Sequence, residues 1–212
     1  MTLSTSYETD LKAFEENFKA TKPDFNAEHA SLYEDISTGV REGIRRAGMS
    51  SSTVRLIDDA SVENGDGTIT AGVFNRATHQ IGLAGVERLA ETIDSSVPDV
   101  QVAVRNQVEA TLNHEQRHQD SCENAKARGE FGLISSYLGA EADRLFQELM
   151  ASKGTEAFDA YDADRAKALA LASKIGLSGA EVIRLVYEGR EAEVVMAAFE
   201  SGYLTSQNAE LN

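Results

Sequence analysis

Only two prolines occur in the 212 residues, Pro23 and Pro98, and each falls where a helical pattern stops. Proline lacks a backbone N–H and clashes with the preceding turn, so a chain this poor in it has few forced helix ends. Residues 5–21 and 27–47 carry apolar side chains at helical spacing: Leu11, Phe14 and Phe18 in the first, Leu32, Ile36, Val40 and Ile44 in the second. Pro23 separates the two, and Gly48 closes the second. The pattern then changes. Residues 53–57 (TVRLI), 68–74 (TITAGVF) and 79–84 (HQIGLA) read as strands, and the short link at 75–78 predicts that the last two pair as an antiparallel hairpin. Residues 86–94 read as a helix. Beyond Pro98, Asp99 stands as the N-cap of a long helix that runs to about Arg128 and is ended by Gly129. A further helix spans 130–152, and 156–203 continues helical with breaks near Gly176, Gly189 and Gly202.

Helices, then a few strands, then helices predict an α+β fold by segregation of element types. The expected architecture is a small, mostly antiparallel sheet packed on one long helix, with helical flanks at both ends. The length fits a single domain, read as an N-terminal flank over 1–50, a core over 51–152 and a C-terminal helical region over 153–212.

Charge and cysteine content narrow the function. Thirty-five acidic residues against twenty basic ones give a formal charge of −15. Such a surface cannot neutralise many phosphates, which speaks against nucleic acid and against an anionic membrane as partners. No apolar leader and no long apolar run is visible, so the expected setting is cytoplasmic. The single cysteine, Cys122, excludes an internal disulfide and a multi-cysteine zinc site. Of four histidines, two stand four residues apart.

Those two belong to His114-Glu115-Gln116-Arg117-His118, a His-Glu-x-x-His sequence inside the long helix. Residues i and i+4 lie one above the other on a helix, so two imidazoles can converge on one ion about 2 Å away. Glu115 points to the side, where it can act on a water without ligating the metal. Val104, Val108, Leu112, Glu115 and Cys122 follow one stripe, so Glu115 interrupts an apolar face. A carboxylate there is costly without a partner or a task.

On these residues the chain resembles the zincin metallopeptidases, over about 53–150. The resemblance implies one Zn²⁺ per chain, hydrolysis of peptide bonds in a protein or peptide substrate, and Glu115 as general base. It also implies a substrate strand laid along 79–84. A catalytic zinc takes three protein ligands. The extended motif of one zincin clan would place Gly and His where this chain has Ser121 and Asn124, so the third ligand comes from elsewhere. Ile134, Leu138, Glu141, Leu145 and Leu149 form one stripe along the next helix, which makes Glu141 the favoured metal ligand beside His114 and His118. A glutamate there matches the gluzincin arrangement. Asp143 is the alternative, and Gly139 departs from a family pattern that would need glutamate at that position. Tyr137, one turn before Glu141, is a candidate oxyanion donor. Asp120 could orient a ligating imidazole.

Residues 64–70 (NGDGTIT) resemble the middle of a calcium loop, yet Val62 and Val73 stand where its anchoring carboxylates belong, so calcium is not expected. Two other settings fit the same residues. One is a host-directed or phage-encoded protease with this chemistry. The other is a non-catalytic helical interaction module in which the motif is accidental or decayed. Nothing in the sequence fixes an oligomeric state.

Overall fold

A computed structural model describes residues 30–49, 54–56, 72–75, 80–83, 99–152 and 162–205. The helices expected over 5–21 and 86–94, the 64–70 segment, His29 and His79 lie outside these residues. Two compact units divide the chain, Met1–Glu115 and Gln116–Asn212, and the division falls within one unbroken helix.

In the first unit, α1 (Ala30–Arg46) buries Ile36, Val40 and Ile44, whose four-residue spacing stacks them on one face. Gly39 and Gly43 let this helix approach α2 (Val100–Arg128) closely. A Cβ on Gly39 would stand 2.7 Å from the Gln101 carbonyl oxygen, and one on Gly43 2.7 Å from Val108 Cβ. Arg105 pairs with Glu42 at 3.4 Å and Arg46 with Glu109 at 3.2 Å beside this contact. Asp99 caps α2, its carboxylate accepting the Val102 N–H at 3.0 Å. At the other end Gly129 takes φ +71°, and the N–H groups of Gly129 and Glu130 return to the carbonyls of Lys126 and Ala125. That is the left-handed stop which glycine adopts at little cost.

Three short strands also belong to the first unit: β1 (Val54–Leu56), β2 (Gly72–Asn75) and β3 (Gln80–Leu83). β3 lies between the others, parallel to β1 and antiparallel to β2, with Val54 and Phe74 both opposite Ile81.

The second unit is built from helices. It holds the C-terminal part of α2, α3 (Leu133–Leu138), α4 (Ala140–Ala151), α5 (Asp162–Lys174), α6 (Gly179–Tyr187) and α7 (Glu191–Glu200). Ile134, Phe146, Met150, Ile175, Val182 and Val194 are fully buried and make its core, helix against helix. Ser178 opens α6 with a capping box, and Gly176, Gly189 and Gly202 take positive φ at the breaks. Acids cap α3 and α7 reciprocally. Glu191, the first residue of α7, accepts the Ile134 N–H at 3.1 Å, and Glu130, just before α3, accepts the Ala192 N–H at 2.8 Å. Burial, helped by nearby Asp143, pushes the Glu191 carboxyl up, against the backbone N–H groups that favour its charged form.

The expected α+β class is therefore overturned: the protein is predominantly helical, with seven helices among the described residues. Among the described residues the β-branched runs appear as strands of three and four residues, while helices make up most of the described chain. The expectation of a substrate strand laid along 79–84 fails for a related reason. Within the described residues, β3 is the central strand, with a neighbour on each side, and so offers no free edge. The single helix expected over 130–152 is divided at Gly139 (φ 93°, ψ 158°). No described helix is long and apolar enough to cross a membrane.

Candidate metal centre

α2 carries the His-Glu-x-x-His residues through its middle, and its unbroken course holds His114 and His118 one turn apart. The stripe of Val104, Val108, Leu112, Glu115 and Cys122 is buried throughout. His114 and Glu115 are buried with it, at 4% and 5% exposure, and His118 is partly buried. Two imidazoles and a carboxylate are thus held at the buried side of a helix, with Glu115 in line with the apolar stripe and Thr111 and Ser121 buried beside the histidines.

A second carboxylate arrives from α4. Glu148 Oε1 stands 3.6 Å from His118 Nε2, and His114, His118 and Glu148 each offer a ligand atom within 4.8 Å of the other two. This spacing can be tested against an ion. Ligands about 2.1 Å from a tetrahedral metal stand roughly 3.4 Å from one another. The His118–Glu148 separation is already close to that figure, and side-chain rotation covers the remainder. Two nitrogens and one carboxylate oxygen suit zinc, with a fourth position left for water or substrate.

Glu148, and not Glu141, is the carboxylate that the structure brings to the histidines. Glu141 sits in the first turn of α4, where its side chain is 65% exposed and doubly hydrogen-bonded to Arg144 at 2.8 and 2.9 Å. Arg144 also donates to Asp164 at 2.7 Å, and it holds the carboxyls of Glu141 and Asp164 below their ordinary range. Asp143, the other sequence candidate, is buried near Glu191 and is not part of the triad. Tyr137 lies at the surface on α3, edge-on to Phe199 of α7 with ring centroids 6.2 Å apart. Nothing in that placement aims its hydroxyl at the histidines.

Asp120 accepts a hydrogen bond from the Tyr187 hydroxyl at 3.2 Å, while Arg117 lies over the Tyr187 ring at 5.6 Å. Asp120, with the added burial, pushes the Tyr187 phenol up. This polar face of α2 carries residues 117, 120 and 124, about a third of a turn from the histidine line. Cys122 is a buried core residue.

Glu148 escaped the sequence reading because the stripe on α4 identifies a face and not a turn. Two signals bore on the choice: Gly139, which makes 141 the start of a helix, and Arg144, placed i+3 from Glu141 for a surface pair. Comparisons with known proteins add no relative: no family model, no curated protein and no solved structure matches the chain.

Proposed function

We propose that the chain is a zinc-dependent hydrolase of peptide bonds, binding one Zn²⁺ through His114, His118 and Glu148, with Glu115 as general base. One observation carries the reading: a carboxylate from a second helix converges on the two histidines of a His-Glu-x-x-His helix. The motif alone would be met by any helix with this spacing. The third donor, from a residue thirty positions further on, is what chance spacing does not supply. A zinc ion in such a site lowers the pKa of water to near neutrality and polarises a carbonyl. Glu115 is buried beside His114, so its carboxylate can take a proton from the attacking water and deliver it to the leaving amine. The acid surplus of the chain favours cation uptake and a protein or peptide substrate over nucleic acid.

Metal analysis of the purified chain, with peptide hydrolysis measured on the same sample, tests this directly. The wild type should hold about one zinc per chain. Glu115→Gln should keep the zinc and lose roughly 10²- to 10⁴-fold in kcat. A chain that stays metal-free with zinc added would end the reading in favour of the non-catalytic helical module. Undiminished hydrolysis by Glu115→Gln would remove the assigned base.

A further inference from the structure

We propose that Ser121 and Gln147 are positioning residues of the metal centre, fixing the level at which α4 meets α2 and so setting Glu148 against His118. The inference rests on the zinc reading above. Ser121 follows His118 by three residues, on the same face of α2, and Gln147 directly precedes Glu148. Both are buried, at 1% and 6% exposure, beside a core made largely of apolar side chains. The Ser121 hydroxyl donates to the Val186 carbonyl of α6 at 2.8 Å, and its oxygen lies 3.4 Å from Gln147 Oε1. Three helices therefore meet at one hydroxyl. The His118–Glu148 contact is the next one along the same seam.

Apolar side chains tolerate sliding of one helix along another, because dispersion attraction given up at one place is regained nearby. A buried polar group does not, since moving it away from its partner leaves it unpaired in a low dielectric. Sliding α4 by one turn would move Glu148 by about 5 Å, more than a metal site can absorb. Asn124 supplies the contrast. It donates to the Tyr187 carbonyl at 2.8 Å and ties α2 to the same turn of α6 from the exposed side.

The test is zinc affinity of the full chain by competition with a chromophoric chelator, for wild type, Ser121→Ala, Gln147→Met and Asn124→Ala, with melting of the metal-free proteins alongside. Ser121→Ala and Gln147→Met should each weaken zinc binding by about 10- to 100-fold, and Asn124→Ala by less than about threefold. A role in packing alone would lower the metal-free melting temperature and leave zinc affinity unchanged; that result overturns the proposal. So does equal weakening by Asn124→Ala. Should Ser121→Ala fail to fold, Gln147→Met decides, because it keeps the length of the side chain. Wild type without zinc removes the metal reading and this inference together. Wild type that binds zinc, with all three variants equal to it, removes the inference alone.

Discussion

Glu141 and Glu148 occupy nearly the same face of α4, two turns apart, and meet different surroundings. The seven-residue separation is about 10 Å along the axis. At the upstream turn the helix has just begun after Gly139, and Arg144 collects the carboxylate at the surface. At the downstream turn the helix runs against His118. If the proposed centre binds zinc, replacing Glu148 with Ala should weaken that binding by about a hundredfold or more, since it removes one of the three proposed ligands. Glu141→Ala should leave affinity within about threefold, because its exposed pair with Arg144 is screened by solvent and lies two turns from the site. Chelator competition reads both; the reverse order of effects would restore Glu141 as the ligand. The periodicity of the sequence was enough to pick the face and the two histidines. It could not pick the turn, because the level of a helix crossing is set by tertiary packing that no local spacing encodes.

At the scale of elements, the helices and their ends were legible, and so were the places of the three strands and the antiparallel pairing of β2 with β3; the fold class was not. Asp99, Gly129, Gly176, Gly189 and Gly202 stop or start helices for reasons local to the backbone, and each does so in the structure. The β-branched runs marked the strands but not their weight in the fold, because how far a sheet extends depends on partners distant in sequence, and among the described residues the ladders are of three and four residues. The glycines inside α1 carry a meaning that composition hides. Alanine at Gly43 would improve helix propensity by about 1 kcal/mol if the helix stood alone. Against α2, its methyl would come within 2.7 Å of Val108 and 2.9 Å of the Arg105 carbonyl oxygen. Backbone cannot rotate aside as a side chain does, so overpacking of about 1–3 kcal/mol outweighs the gain. Gly43→Ala should accordingly lower the urea midpoint of the first unit's unfolding. A raised midpoint would mean that the two helices are not in close contact there.

For the molecule as a whole, the surplus of fifteen negative charges sets a direction that the individual ion pairs oppose. Folding brings the acids closer together than the unfolded chain does, so their mutual repulsion subtracts from stability. The exposed pairs, such as Arg144 with Glu141 and Asp164 or Arg184 with Glu188, act the other way. Exposed pairs of this kind contribute little, and salt screens both effects. Twenty basic residues cannot neutralise thirty-five acids, however well they pair, so the repulsive part is the larger. Melting temperature at pH 7 should therefore rise by a few degrees between roughly 20 mM and 500 mM KCl, with most of the change complete where the Debye length has fallen to about 4 Å. The measurement is made on metal-free protein, so that zinc binding does not add its own salt dependence. A fall in melting temperature over that range would show that the surface pairs, and not the net charge, govern the electrostatics of the fold.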